Sequence, residues 1–261
     1  MNEVSFQVLG TPLLRTDYAA LADQCREWTR ENRTVALEFT NTQIVVLRRD
    51  DPAFREQTDA FDFFVPDGMP LIWCLNLAGA GLKDRVYGPT FMRSFLSGFT
   101  GVSTHYLLGG SVECGERLRR KFSNVMNPGV KFVGSFHGKC DPDGTLEGAA
   151  EKQVIDEINR LSPDYIWVGL GAPKQELWVK RHKALIRRGV ILSVGFAFDV
   201  NADMKPDAPL WMQRLGLTWV FRLGSEPSRL GPRYLRYNFL FLFYLMRDGI
   251  RGRAWGKSKT A

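Results

Sequence analysis

DYIWVGLGAP (164–173) decides how this chain folds. Its first half is a short apolar run and its second half a glycine turn closed by proline. KQELWVKRHKALIRR follows with helical spacing. Apolar run, glycine turn and amphipathic helix make up the repeating unit of a parallel sheet, because neighbouring parallel strands need a long crossover. The unit recurs on both sides. Downstream, GVILSVGFAFDV (189–200) reads as a further strand. Upstream, HYLLGGS (105–111) ends in Gly109-Gly110 and leads into VECGERLRRKF, which forms an amphipathic helix. KFVGSF (131–136) is a strand candidate, and AAEKQVIDEINRL (149–161) has helical spacing. VALEF (35–39) and IVVL (44–47), either side of the polar Thr40–Gln43, are β-branched and apolar and read as extended. Short apolar runs alternating with amphipathic helices predict an α/β fold, a parallel sheet with helices on both faces.

Composition agrees. With 261 residues, 44% hydrophobic and 24% charged, the chain is ordinary globular protein, which excludes collagen, coiled coil and wholesale disorder. Four cysteines without a CxxC pair argue against a disulfide framework or structural zinc, and for a reducing compartment. The first 20 residues have no sustained apolar core and do not read as a signal peptide. The longest apolar run, Phe239 to Met246, is far short of the roughly 20 residues that span a bilayer. A cytosolic protein, or one attached to a surface from the cytosol, is the expectation.

Charge is unevenly placed. Residues 1–210 hold 25 Lys/Arg against 26 Asp/Glu, whereas 211–261 hold 10 against 2. After Pro209 the chain is also aromatic and punctuated by Gly and Pro, which predicts a body over 1–209 and a basic helical appendage over 210–261. Such a tail seeks anionic partners: phospholipid, nucleic acid or a diphosphate. Basic and aromatic interleaving suits single-stranded nucleic acid. The stripe Phe239, Leu240, Leu242, Phe243, Leu245, Met246 is more than base stacking requires, and a segment lying on an anionic membrane fits it better. The same apolar stripe could mediate self-association into a homo-oligomer.

Glycines just past strand ends let a phosphate approach the backbone and the N-terminus of the next helix. Gly109-Gly110-Ser111 and Gly169-Leu170-Gly171 qualify, although neither is a Walker loop or a clean GxGxxG. Together they favour a nucleotide-binding α/β domain. Asp67, between Pro66 and Gly68, is held in a turn beside an apolar stretch; an Asx-type turn explains it from spacing alone, and a general base is the alternative. Glu176 complements the dipole of the helix it opens, whereas Gln175 has no such reason and is free to face a ligand. Asp199 suits a ribose or base contact or a turn cap equally. Arg222, Arg229, Arg233 and Arg236 lie among aromatics and could neutralise a departing diphosphate. His105, His137 and His182 have no ligand spacing, so no metal site is expected.

PDGMPLIW (66–73), RVYGPTF (85–91), LLGG (107–110), SPDYIWVGLGAPKQELW (162–178), GFAFD (195–199), APLWMQRLGLTWVFRL (208–223) and EPSRLGPRY (226–234), in that order, resemble the WecG/TagA/CpsF glycosyltransferase family (glycosyltransferase family 26) over residues 35–245. The resemblance implies a Rossmann-like fold with a C-terminal appendage that meets the membrane. It implies an inverting, metal-independent transferase that needs no cofactor beyond its donor substrate. Such an enzyme moves an N-acetylmannosamine-type sugar, its uronate or glucose from a UDP-sugar to a polyprenyl-diphosphate-linked acceptor at the cytoplasmic face of the bacterial plasma membrane. Carried over by motif, Asp67 resembles the catalytic base, with Gln175 and Arg85 beside it. Asn41 and Thr40 fall on the acceptor side, and Gly109, Gly110, Gly169, Gly171 and Asp199 on the nucleotide side. Arg222, Arg229 and Arg233 match appendage arginines that reach the diphosphates. This chain departs from the family pattern at Phe39, Thr90, Lys139, Asp207 and Thr218. A nucleotide-binding or membrane scaffold of the same fold without turnover is the competing reading.

Overall fold

The computed structural model describes residues 5–147, 150–249 and 254–257. An N-terminal hairpin, β1 (Ser5–Val8) and β2 (Thr11–Leu14), precedes α1 (Tyr18–Arg30) and β3 (Thr34–Thr40). Then come α2 (Thr42–Asp50), α3 (Pro52–Thr58), β4 (Phe63–Pro66), α4 (Met69–Leu77) and α5 (Gly88–Gly98). The middle of the chain alternates: β5 (Ser103–Gly109), α6 (Val112–Arg119) with a wider turn over 120–126, β6 (Val130–Phe136), α7 (Ala150–Leu161), β7 (Tyr165–Gly169), α8 (Lys174–His182) and β8 (Gly189–Ser193). The chain closes with α9 (Ala197–Asn201), α10 (Leu210–Arg214), α11 (Thr218–Ser225), the long α12 (Pro227–Gly249) and β9 (Trp255–Lys257).

Six strands form one sheet in the order β4-β3-β8-β7-β5-β6, and every pairing in it is parallel. The residues explain why both faces are covered. Val35, Leu37, Phe39, Leu107, Tyr165, Trp167, Val190 and Leu192 pack on one side against α1, α5, α6 and α9. Their alternate neighbours, Ala36, Tyr106, Leu108, Ile166, Val168 and Ile191, pack on the other against α2, α4, α7, α8 and Phe241 of α12. Successive strand residues point to opposite faces, so a strand apolar at every position is a strand buried on both sides. The predicted parallel α/β sheet with helices on both faces, followed by C-terminal helices, is what the chain forms.

Three local expectations need correction. IVVL (44–47) lies in α2 and is helical. The Asn41 side chain accepts the Gln43 and Ile44 N–H groups, and that N-cap converts an apolar run too short to declare its own period into a helix. GVILSVGFAFDV is a strand only to Ser193; Gly195, at φ +50, turns the chain, and Asp199 stands in the first turn of α9 rather than at a strand end. The third is the segment 210–261, expected to be helical: besides its helices it supplies β9, which pairs with the N-terminal hairpin in a small antiparallel sheet β2-β1-β9.

α12 does not stand clear of the body. Phe241 is buried to 1% exposure, Thr42 Oγ1 and Asn238 Oδ1 are 3.0 Å apart, and Arg49 pairs with Asp248 at 2.7 Å. No helix among the described residues is long and apolar enough to cross a membrane.

Candidate active site

Asn41, Asp67, Gly109, Gly110, Gly169, Gly171, Gln175 and Asp199 lie at or just past the carboxyl ends of β3, β4, β5, β7 and β8, whereas Arg85 follows α4 and Arg222, Arg229 and Arg233 lie on α11 and α12. β5 connects outward to β6 and β7 connects the other way to β8, so the crevice between β5 and β7 is where the winding reverses, the customary ligand position in an open parallel sheet. Asp67 leaves β4 at the same edge.

Pro66 ends β4 and the Asp67 N–H is tied to the Thr40 carbonyl at 2.8 Å, so the backbone under the carboxylate is fixed. Gly68 then caps α4. Asp67 is half-buried, and its Oδ1 is buried without a hydrogen-bond partner. Burial pushes its pKa up to about 7, against the pull of the Arg85 charge, the Gly88 N–H bond and Arg222. A carboxyl poised there exchanges a proton readily at neutral pH.

Arg85 is held on three sides. Its Nη1 donates to the Asp67 carbonyl at 3.1 Å, its Nη2 to Thr218 Oγ1 at 2.8 Å, and its guanidinium lies 4.2 Å from the Tyr87 ring centre. The Tyr87 hydroxyl in turn donates to Asp207 at 2.9 Å. Thr218 and Asp207 thus bond the C-terminal segment to Arg85 and Tyr87.

Above this group lies a cavity of about 740 Å³ between the sheet edge, α4 and the C-terminal helices. Asn41, Asp67, Arg85 and Arg222 line its polar end. Trp73, Leu77, Trp219, Phe241, Leu242 and Met246 are among the residues of its apolar walls. Arg222 lies 3.9 Å from the Phe196 ring centre and borders a second, smaller hollow shared with Lys205 and Glu226. Its Nε is buried without a partner.

The glycine loops occupy the neighbouring crevice. Gly109 and Gly169 face each other across β5 and β7, and a Cβ on Gly109 would stand 2.8 Å from the Gly169 carbonyl carbon. A Cβ on Gly169 would stand 2.7 Å from the Phe198 ring, and one on Gly110 3.1 Å from it. Only glycine lets these two loops and α9 approach so closely. Gln175, at the start of α8, is buried with its Oε1 beside Gly195. Asp199 pairs with Lys205 at 3.3 Å, and Lys205 also reaches Glu226 at 2.8 Å.

The fold therefore gathers Asn41, Asp67, Arg85 and Arg222 around one cavity, and sets Gly109, Gly110, Gly169, Gly171, Gln175 and Asp199 along the ends of β5, β7 and β8. Thr40 is fully buried, with its hydroxyl donating to the Glu38 carbonyl at 3.1 Å. Arg233 is half-buried on α12 and does not line the cavity. The Arg229 side chain lies outside the described residues. Phe39 packs in the core against Phe91, their ring centres 5.3 Å apart. Tyr87 and Glu38 were not singled out from the sequence. Tyr87 stood inside the quoted RVYGPTF, where an aromatic two residues after an arginine was the available signal.

The sequence profile of the glycosyl transferase WecG/TagA/CpsF family matches residues 6–254. The chain belongs to this family. Two curated relatives carry the name N-acetylglucosaminyldiphosphoundecaprenol N-acetyl-beta-D-mannosaminyltransferase. One, from Bacillus spizizenii strain W23, is 26% identical over 208 residues, covering 76% of this chain and 74% of its own. The other, from Staphylococcus aureus strain MRSA252, is 25% identical over 233 residues and covers 88% of each chain. Like its WecG/TagA/CpsF relatives, the chain is a glycosyltransferase. The family match takes in the N-terminal hairpin and reaches the last segment before β9, well beyond the motifs that first suggested it.

Proposed function

We propose that the chain transfers an N-acetylmannosamine-type sugar, its uronate or glucose from a UDP donor to a polyprenyl-diphosphate-linked sugar, with inversion and without a metal, in the synthesis of a bacterial cell-surface polymer. The observation that carries the reading is Asp67. An inverting transfer needs one base on the acceptor side of the sugar, facing away from the leaving diphosphate. Asp67 has an unpartnered buried oxygen, a pKa near neutrality and a cavity large enough for the acceptor above it. The acceptor hydroxyl gives its proton to Asp67 as its oxygen attacks the anomeric carbon, and the bond to the UDP oxygen breaks on the opposite side. Arg222, at the junction of the two hollows, offsets the charge gathering on the diphosphate. Arg85 keeps the Asp67 loop in register through its carbonyl.

The names of the relatives support the acceptor class, and the cavity's apolar wall suits the first isoprene units of a lipid carrier. Leu235, Phe239, Leu242 and Met246 are exposed by 62%, 70%, 57% and 64%. Their spacing puts them on one stripe of α12, with Leu235 and Phe239 outside the cavity and Leu242 and Met246 also in its wall, and supports peripheral attachment to the cytoplasmic face of the membrane. UDP release from a panel of UDP-sugars, in EDTA and with a short-chain polyprenyl-diphosphate-N-acetylglucosamine acceptor, tests the reading. Acceptor-dependent release by the wild type and none by Asp67→Asn is the expected result. Intact UDP binding with silence across donors and acceptors would leave a scaffold of the same fold.

A further inference from the structure

Glu38 and Glu176 form a second pair of acids that the transfer step above does not use. Glu38 comes from β3, on the same face of the sheet as Ala36, and Glu176 from the first turn of α8. Both are fully buried, at 1% and 0% exposure, and they are hydrogen-bonded to each other. The groups that act on them most strongly are each other, Gln175 and Asp67, with no cation among them, so burial holds both above the ordinary carboxylate range. Two such groups coexist in the interior by keeping a proton between them.

Gln175 is bonded to this pair by its nitrogen. Nε2 faces Glu38 Oε2 at 3.5 Å and Glu176 Oε1 at 3.3 Å. Rotating the amide by half a turn would press its carbonyl against the two carboxyl groups, so the pair dictates which end of the amide points away. That end, Oε1, is buried and has no donor. It looks onto a gap between two glycines, Gly171 at φ +77 and Gly195 at φ +50. A Cβ on Gly195 would stand 3.2 Å from Oε1 and 3.6 Å from the Gly171 Cα, whereas one on Gly171 would meet nothing within 4 Å. A buried acceptor left without a donor costs more than an ordinary hydrogen bond returns, and such atoms persist where something else supplies the donor.

We infer that Glu38 and Glu176 are positioning residues: as a hydrogen-bonded pair they fix the Gln175 amide so that Oε1 meets the Gly171–Gly195 gap as an acceptor only, and the gap takes an N–H or O–H donor of the sugar nucleotide. The inference rests on the UDP-sugar reading for the identity of the ligand. Calorimetric titration of UDP and of UDP-N-acetylmannosamine into the full chain tests it, with the wild type, Gln175→Leu, Glu38→Leu, Glu38→Gln and the Glu38→Leu/Gln175→Leu double variant. Gln175→Leu and Glu38→Leu should each weaken binding about tenfold, as expected for one lost hydrogen bond in a buried site. The double variant should bind no more weakly than Gln175→Leu, because Glu38 acts through Gln175. Glu38→Gln, which can still accept from Gln175 and donate to Glu176, should stay within about threefold of the wild type.

A loss confined to UDP-N-acetylmannosamine assigns the donor group to the sugar, and a loss shared with UDP assigns it to the nucleoside. Multiplying losses in the double variant would overturn the inference and leave the UDP-sugar reading intact. Wild type that binds neither nucleotide would overturn both. Should Glu38→Leu fail to fold, hydrogen exchange of the Gln175 side-chain amide in the wild type, assigned by its disappearance in Gln175→Leu, decides the matter. Protection supports the clamp, and exchange at the rate of a free glutamine overturns it.

Discussion

Replacing Asp67 with asparagine should stabilise the fold while silencing the reaction, and the gain should depend on pH. The folded Asp67 carboxyl titrates at about 7 against an ordinary value of 3.8. The folded chain therefore holds this proton more tightly than the unfolded chain does. Relative to Asp67→Asn, the wild type loses stability as the pH rises from about 4 to about 7, and above that the difference is level. At about 1.4 kcal/mol per unit the displacement corresponds to an upper bound of roughly 4 kcal/mol, which partial solvation of a half-buried group reduces to about 2 kcal/mol. Asparagine keeps an oxygen for the Gly88 N–H and sheds the charge that is costly to bury. Denaturant unfolding of both proteins at pH 5, 6, 7 and 8 measures the difference directly. At the upper end the variant should melt roughly 4–8 °C higher, while transfer falls by about 10²–10⁴-fold. A stability difference that does not change with pH, or a variant less stable than the wild type at pH 8, would refute the account of Asp67 as a charge held against its surroundings.

Arg85→Gln removes the cation that lowers the Asp67 pKa, so the acid limb of the rate profile should move to higher pH, read from kcat/KM between pH 6 and 9. Gly169→Ala should destabilise the fold by about 1–3 kcal/mol, because its methyl would enter the Phe198 ring at 2.7 Å; urea unfolding reports it. Charging the exposed stripe of α12 with Leu235→Glu and Phe239→Glu, which lie outside the cavity wall, should abolish flotation with anionic liposomes and spare UDP release on a short-chain acceptor, whereas Phe241→Glu should unfold the α2–α12 contact. Exhaustive EDTA treatment should leave transfer unchanged in the UDP-release assay.

The large sheet was legible because its strands announce themselves. Residues such as Tyr165, Ile166, Trp167 and Val168 are apolar at every position, the mark of a strand buried on both faces, and glycines mark where each ends. α2 was misread because Ile44 to Leu47 is only four residues long. The deciding signal is the capping side chain of Asn41, a residue that the family resemblance places only on the acceptor side. The pairing of β1 with β9 joins residues about 250 positions apart, and neither strand carries a local sign of its partner. Asp67 was readable as a fixed carboxylate between proline and glycine. Its raised pKa was not, since that depends on the walls supplied by distant segments. Glu176 shows the limit most clearly: an acid in a first helical turn has a sufficient local explanation, and only the fold reveals Glu38 against it.

The small sheet has a consequence for the order in which the molecule is assembled. β1 leaves the ribosome before the other described strands and β9 after them, so β1 keeps one edge open until β9 emerges. The large sheet can form earlier, because β8 is complete by Ser193, yet α12, which walls the cavity, is followed directly by the segment that closes onto β1. A nascent chain thus carries its glycine loops and Asp67 well before it has a roof over them. The exposed apolar stripe of α12 emerges only after the whole large sheet, so that surface and the wall of the cavity are completed together by one helix.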